Sequence, residues 1–387
     1  MMFILDKPYV SKVLLDTIKR NNYPVLDNEM ARELLGTGSH LISPERFADR
    51  FRSKPVIYTN SENAVAWINE NLMFSDIVEK VDLFKNKVKF RDLLSGMFPD
   101  FFYQEVLFHE IEALRAKDLQ FPFIIKPAVG FFSLGVHYVE DENSWKTVRP
   151  QIIAEMQKVR DYYPDDVLNT HSFIIEEVIE GIEYAIDGYY NAEGEPVILN
   201  VLKHYFAGAE DVSDRVYVTS VPIVKEISEK VRKFLISLGR LAVVSNFPFH
   251  IEVRIDKNGK VVPVELNPLR FAGWCCTDIS VFAYGVNTYE YFAESREPHW
   301  DEIGEICGDR VYAMIVVEKS SKIDDSMLLG FNYEKLKSSF THVLELRETD
   351  FVKYGVFCFL FAETDREDAP ELKAILNSDL SEYLLYC

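Results

Sequence analysis

The pattern that most constrains this chain is a pair of strand-like segments ending in Glu265-Leu266-Asn267-Pro268. Phe249-His-Ile-Glu-Val-Arg-Ile255 alternates apolar and polar residues, and so does Val261-Val-Pro-Val-Glu-Leu266. Between them lies Asp256-Lys-Asn-Gly259, whose Asn-Gly step supplies the positive φ of a tight hairpin. Such a hairpin sets Glu252 near Glu265. Glu265 and Asn267 are two apart on one strand, so their side chains share a face. Two carboxylates and an amide there form a hard-oxygen set of the kind that takes Mg²⁺, which binds through one or two carboxylates plus substrate phosphates. A solvated hairpin face with an acidic edge has the same pattern, and the hairpin alone does not choose between them.

The rest of the chain supplies context. At 387 residues it has room for two to three domains, taking roughly 150 residues per domain. Residues 1–80 alternate strand and helix: Phe3-Ile-Leu, an amphipathic run from Val10 to Asn21, Tyr23-Pro-Val-Leu26, Pro55-Val-Ile-Tyr-Thr59, then a helix opening at Ser61. That alternation implies a small parallel α/β domain. It has no G-x-G-x-x-G after its first strand, so no dinucleotide is assigned to it. Ser75 to Gly96 reads as a charged helix carrying Lys85, Lys87 and Lys89. Residues from about 100 to 270 are strand-rich, with helical interruptions at Ser144–Tyr163 and Lys225–Leu241. Beyond about 305, two apolar strands, Arg310–Val317 and Tyr354–Phe361, flank a helical Tyr333-Glu-Lys-Leu-Lys-Ser.

A net charge of −20 argues against a nucleic-acid or anionic-membrane surface, since both require basic patches. If the protein binds a polyanion, it does so through a few local lysines, backbone amides and a metal. The five cysteines include no C-x-x-C pair and no zinc spacing, which fits reduced thiols in a cytoplasmic protein. The first residues lack the charged and apolar regions of a signal peptide. Nowhere do about 18 consecutive apolar residues occur, so no membrane span is expected.

Two further segments bear chemistry. Phe121-Pro-Phe-Ile-Ile-Lys126-Pro127 is an apolar strand ending in a lysine, followed by a turn containing Gly130, Ser133 and Gly135. A lysine at the end of a buried strand places a charge beside apolar neighbours. A glycine- and serine-bearing turn after it can fold its amides over phosphate oxygens. His137-Tyr-Val then reads as a second strand, so the turn is a flap, and an ordinary hairpin loop is the alternative. In Phe173-Ile-Ile-Glu176-Glu177-Val-Ile179-Glu-Gly181-Ile-Glu183, a buried strand meets two carboxylates, a glycine turn and a further strand. Extended backbone there can read a purine edge and a following carboxylate can hold ribose hydroxyls; exposed edge charges are the plainer account.

Lysine on a helix, Lys-Pro with a flap, Glu-Glu-x-Ile-x-Gly-x-Glu, His-x-Glu and Glu-x-Asn-Pro occur in that order, and in this the chain resembles the ATP-grasp superfamily. The similarity runs from about residue 81 to 305. It implies an α/β and α+β architecture: an N-terminal domain over 1–80, two ATP-clasping α+β lobes over 81–305 and a C-terminal α+β subdomain over 306–387. It implies that Lys126 and Lys87 contact phosphates, with Lys89 as the rival of Lys87, and that Gly130, Ser133 and Gly135 form the covering flap. Glu176 is then expected to touch adenine, the backbone of Glu177 and Ile179 to read its edge, and Glu183 to hold ribose. Glu252, Glu265 and Asn267 are expected to hold Mg²⁺, with Mn²⁺ as an alternative ion. Lys203 lies where many members carry another phosphate lysine, a strand-end surface lysine being the other reading.

Many members read Asn-Pro-Arg, whereas here Leu269 intervenes before Arg270. Arg270 is then expected to meet a phosphate or the substrate carboxylate, with Arg254 as the rival anion binder. The resemblance implies an ATP-dependent carboxylate–amine ligase acting through an acyl phosphate, its substrates a small carboxylate and an amine of the amino-acid class. The alternatives are a carboxylating enzyme of purine-pathway type and a nucleotide sensor without turnover. The loop from His204 to Val221, with Arg215, is either a substrate-closing segment or a connector. Residues beyond 305 are a dimer surface, a lid or a substrate subdomain, so a homodimer is among the expectations.

Overall fold

In the computed structural model, which describes residues 1–38, 40–130, 135–159, 171–208, 211–319 and 327–386, four short parallel strands open the chain. β1 (Met2–Ile4) pairs with β2 (Val25–Leu26) and β4 (Ile57–Thr59), and β2 pairs with β3 (Leu41–Ile42). Helices α1 (Lys12–Asn21), α2 (Glu29–Leu35) and α3 (Pro44–Ser53) make the crossovers. Each starts at a polar cap, because the Ser11, Asn28 and Ser43 side chains accept from backbone N–H groups of the first turn. β1 is buried throughout, as a parallel strand between helices should be. α2, α3 and β3 were not anticipated from the sequence.

α4 (Ala64–Asn71) follows, then α5 (Ile77–Lys85) and α6 (Lys87–Leu94). The single helix expected over Ser75–Gly96 is therefore two. Asn86 turns extended between them, and its side chain accepts from the N–H groups of Val88 and Lys89 to start α6 afresh.

The next layer is an antiparallel sheet of β5 (Tyr103–Leu107), β6 (Phe123–Pro127), β7 (His137–Val139) and β8 (Ser172–Glu177), in the order β5-β8-β6-β7. The short α7 (Phe108–Ile111) and the long α8 (Glu142–Val159) lie between its strands in sequence. Tyr163, at the expected end of α8, lies outside the described residues. Phe123, Ile125, Phe173 and Ile175 pack with Trp145, Ile152 and Met156 of α8 on one face. The other face carries Ile174 beside Val88 of α6. The alternation of β6 thus turns Ile125 to the core and Lys126 to the α6 side.

β9 (Ile182–Tyr190) and β10 (Pro196–Tyr205) flank the Asn191–Gly194 turn. β11 (Val216–Thr219), α9 (Val221–Ala242) and the hairpin β12 (Phe247–Ile255) and β13 (Val261–Pro268) follow. Later come β14 (Val311–Glu318), β15 (Leu328–Phe331), β16 (His342–Glu348), β17 (Val356–Thr364) and β18 (Leu384–Tyr386). The chain divides into two units. The first comprises Met1–Gly181, Asp187–Val197 and Val231–Cys275; the second comprises Ile182–Ile186, Ile198–Lys230 and Cys276–Cys387. The first holds the parallel domain, the β5-β8-β6-β7 sheet and the β12–β13 hairpin. In the second, β10, β11, β14, β17 and β16 pair successively, all antiparallel. Cys275, Cys276, Cys307 and Cys358 are buried and unbridged. No described helix is long and apolar enough to cross a membrane.

Candidate functional site

The site grows from two faces of the first unit. On β6, Lys126 lies opposite Ile174 of β8, and Ile124 lies opposite Glu176, so Lys126 and Glu176 share the face that α6 covers. On α6, Lys87 and Arg91 are four apart and therefore lie on one side of the helix. Lys126 Nζ meets Glu176 Oε1 at 2.5 Å, and Arg91 Nε donates to Glu176 Oε2 at 2.9 Å. Arg91 Nη1 also donates to the Pro263 carbonyl at 2.7 Å, which ties α6 to the hairpin. Lys126, Glu176 and Arg91 are 4%, 2% and 3% exposed, so solvent does little to screen these pairs.

Lys87 completes the cluster. Its backbone N–H donates to the Ala128 carbonyl, and its Nζ meets Glu265 Oε2 at 2.9 Å and the Gly130 carbonyl at 3.4 Å. Lys89, the rival, points outward and pairs with Asp82 on an exposed surface. Burial disfavours ionised Glu176, but Arg91 and Lys126 outweigh it and hold the carboxyl at about 2. Glu265 is likewise held at about 2, by Lys87 first and then Lys126. Burial disfavours the Lys87 cation too, yet Glu265 raises its pKa. All three are ionised at neutral pH.

The hairpin register is Glu252 opposite Glu265 and His250 opposite Asn267, with a bulge directly after Glu252. Asn267 Nδ2 donates to Glu265 Oε1 at 3.0 Å, so these two side chains do share a face. Three hard oxygen donors within one short hairpin fit a magnesium ion. His250 Nδ1 lies 2.8 Å from Asp187 Oδ1, and its Nε2 lies 3.8 Å from Glu252 Oε1. Burial opposes a charged ring, but Asp187 and Glu252 outweigh it and raise His250 to about 9. The same Asp187 oxygen accepts the Ala272 N–H at 2.8 Å.

After Pro268, Leu269 takes φ 62, a left-handed conformation that costs a non-glycine residue energy. It is held there by its own backbone, whose N–H donates to the Pro248 carbonyl and whose carbonyl accepts the Thr59 N–H. Arg270 then turns back toward α4. Its Nη2 meets Glu62 Oε1 at 2.5 Å and its Nη1 donates to the Phe271 carbonyl at 2.9 Å. Lys85 pairs with the other Glu62 oxygen. Burial opposes ionised Glu62, but Lys85 and Arg270 hold it at about 2.

Arg254 Nη1 donates to the Ile179 carbonyl at 2.8 Å, which fastens the segment after β8 to the hairpin. Gly181 is required there: at φ 119, a Cβ would stand 2.3 Å from the Ile255 carbonyl oxygen. Glu177 is exposed; its carboxylate accepts the Phe102 N–H at 3.0 Å, and its own N–H donates to the Phe102 carbonyl. Gly135 has φ 72, and a Cβ would press Met156 at 2.8 Å. Ser133 lies outside the described residues.

Glu183 and Lys203 belong to the second unit. Glu183 Oε1 lies 2.8 Å from Nδ1 of the buried His204, which stacks on Tyr217. Lys203 Nζ meets Glu367 Oε2 at 2.6 Å, and Tyr205 donates to the same oxygen. Arg215 donates to the Ile375 and Ser378 carbonyls, at the C-terminus of the helix Pro370–Leu376, where a cation is favoured.

The structure therefore joins Lys87, Lys126, Glu176, Glu265, Asn267 and Arg270 to two residues that sequence reasoning missed, Arg91 and Glu62, and joins His250 to a third, Asp187. Arg91 carried a signal, its spacing of four from Lys87. Asp187 did too, as a charge in the apolar run Tyr184-Ala-Ile-Asp-Gly-Tyr-Tyr190. Glu62 carried none.

Residues 119–278 match the ATP-grasp domain family. No curated protein matches the chain in sequence. Among solved structures, the L-amino acid ligase from Bacillus licheniformis is similar with a TM-score of 0.67 at 15% identity, covering 100% of this chain and 98% of that one. Biotin carboxylase from Campylobacter jejuni is similar with a TM-score of 0.61 at 12% identity, covering 94% of this chain and 87% of that one. N5-carboxyaminoimidazole ribonucleotide synthetase from Thermotoga maritima is similar with a TM-score of 0.58 at 14% identity, covering 94% of both chains. Residues 119–278 thus match an ATP-grasp domain, and the fold of the chain resembles that of an L-amino acid ligase.

Proposed function

We propose that the protein is an ATP-dependent ligase that joins a carboxylate to an amine, both of the amino-acid class, with release of ADP and phosphate. One observation carries the reading. In a chain of net charge −20, five buried or nearly buried cations, Lys85, Lys87, Arg91, Lys126 and Arg270, share three carboxylates, Glu62, Glu176 and Glu265. The excess of two positive charges calls for an anionic ligand, because uncompensated buried charge is costly. The neighbouring His250, Asp187 and Glu252 carry the opposite excess when the imidazole is protonated. That polarity suits a polyphosphate beside a divalent cation.

In this reading Lys87 and Lys126 bind phosphate oxygens; Glu176, which the resemblance sets against adenine, spends its two oxygens on Arg91 and Lys126 and so holds Lys126 in place. The flap of Gly130, Ser133 and Gly135 excludes water. The Glu177 carbonyl and the Ile179 backbone are offered to adenine, the Glu177 N–H being spent on the Phe102 carbonyl. Because Arg254 already occupies the Ile179 carbonyl, the Ile179 N–H is the group left to read the base. Glu183 holds ribose, and Lys203 contacts phosphate. Glu252, Glu265 and Asn267 would hold Mg²⁺, or Mn²⁺ in its place, which neutralises charge developing on the phosphates. Residues 1–80, 81–305 and 306–387 form the N-terminal, ATP-grasp and C-terminal parts.

A substrate carboxylate oxygen attacks the γ-phosphorus and the bond to the β-phosphate oxygen breaks, giving an acyl phosphate and ADP. The amine nitrogen then attacks the acyl carbon, the carbon–oxygen bond breaks, phosphate leaves and the nitrogen loses a proton. Positioning and electrostatics supply most of such catalysis. Water exclusion protects the acyl phosphate.

Likeness to biotin carboxylase and N5-carboxyaminoimidazole ribonucleotide synthetase favours one second reading, in which bicarbonate is the acid. Phosphate release from ATP and Mg²⁺ is measured against amino acids singly and in pairs, and against bicarbonate, with Glu265→Gln as control. Release that requires a pair and is lost in the variant supports the ligase. Bicarbonate dependence supports the carboxylating reading. Tight ATP binding without release under any condition points to a nucleotide sensor.

A further inference from the structure

We infer that Glu62 is a positioning residue that aims Arg270 at an oxyanion. The inference rests on the functional reading above, in which Arg270 meets a phosphoryl group or a carboxylate. A guanidinium has five N–H donors. Arg270 spends Nε (3.2 Å) and one Nη2 hydrogen (2.5 Å) on Glu62 Oε1, and one Nη1 hydrogen on the Phe271 carbonyl. One N–H on each terminal nitrogen then has no partner among the described residues. Adjacent donors of this kind form the bidentate edge that suits carboxylate and phosphate oxygens.

Glu62 is built to hold that edge still. Its side chain and that of Arg270 are each 10% exposed, and Lys85 grips the second Glu62 oxygen. The end of β4 fastens the same loop twice more. The Thr59 N–H donates to the Leu269 carbonyl at 2.9 Å, and Tyr58 packs on Phe271 with ring centroids 5.1 Å apart. The extra residue between Asn267-Pro268 and Arg270 is thus absorbed by the left-handed Leu269, and Glu62 sets where the displaced arginine points.

Equilibrium dialysis with labelled orthophosphate and, separately, labelled acetate tests this, because the two anions stand for the phosphoryl and carboxylate sources. Arg270→Met should abolish retention of one of them. Glu62→Gln should weaken that retention about ten-fold, the loss expected when one charge-assisted bond of a bidentate pair is misaligned. The double variant should retain no less than Arg270→Met alone. The sign is diagnostic, because removing a nearby negative charge would by Coulomb attraction strengthen anion binding. Stronger or unchanged retention in Glu62→Gln overturns the inference, as does wild-type protein that retains neither anion. Glu62→Asp keeps the charge but withdraws the oxygens; it should weaken retention similarly and serves if Glu62→Gln does not fold. MgATP retention is measured on the same samples. Its absence alongside the predicted anion pattern would remove the ligase reading and leave the role of Glu62 standing.

Discussion

Replacing Glu176 with glutamine keeps the shape of the side chain but leaves Lys126 and Arg91 buried without their shared counter-charge. Removing one partner of a buried ion pair typically costs about 3–5 kcal/mol. The acid equilibrium gives a similar scale. The Glu176 carboxyl moves from 4.5 to about 2 on folding, which at about 1.4 kcal/mol per unit is on the order of 3 kcal/mol. A domain is stable by only about 5–15 kcal/mol, so the effect should be plain. Because the folded pKa is depressed, this stabilisation is fully present above the unfolded value and is lost as pH falls through the folded one. Urea unfolding of both proteins, followed by tryptophan fluorescence with Trp145 in the adjoining core as reporter, measures it. The gap between wild type and Glu176→Gln should be about 3 kcal/mol near pH 7 and should close progressively between about pH 5 and pH 2. A gap below about 1 kcal/mol, or one that stays constant with pH, would refute the claim that Glu176 neutralises the two cations.

Lys87→Met should abolish ATP retention in equilibrium dialysis, whereas Lys89→Met, which breaks only an exposed pair with Asp82, should leave it intact and shift stability by less than about 1 kcal/mol. Gly181→Ala should lower the melting temperature and weaken ATP binding together, since a Cβ at φ 119 meets the Ile255 backbone; an unchanged melting curve would show that the turn can relax. Asp187→Asn should weaken Mg²⁺-dependent turnover more than ATP retention, because Asp187 holds His250 beside Glu252 and also holds the Ala272 N–H; a change confined to ATP retention would count against that role.

The β12–β13 hairpin and its register were legible because every step in them is local. An Asn-Gly turn fixes the register, and period-two alternation then decides which side chains share a face. The lysine strand was legible for the same reason, since Lys126 interrupts an apolar run. The partners of those residues were not. Arg91 and Glu176 are 85 positions apart, and Glu62 and Arg270 are 208 apart, so neither pairing leaves a local trace. The break at Asn86 was missed because charged residues on both sides sustain a helical pattern while the asparagine caps a new helix. In the parallel domain, two-residue strands such as Leu41–Ile42 are too short for periodicity to register. Leu269 is a different case: two backbone hydrogen bonds impose a conformation that leucine does not prefer, so tertiary structure overrides residue type.

The central claim is that a carboxylate attacks ATP, and oxygen transfer tests it most directly. The protein is incubated with ATP, Mg²⁺ and a mixture of amino acids labelled with ¹⁸O in their carboxylates, with labelled bicarbonate in a parallel arm, and the released phosphate is analysed by mass. Acyl-phosphate chemistry predicts that each phosphate carries one oxygen from the acid, and that Glu265→Gln releases none. Phosphate without label in both arms would mean that water, not a carboxylate, attacks ATP, and would contradict the account.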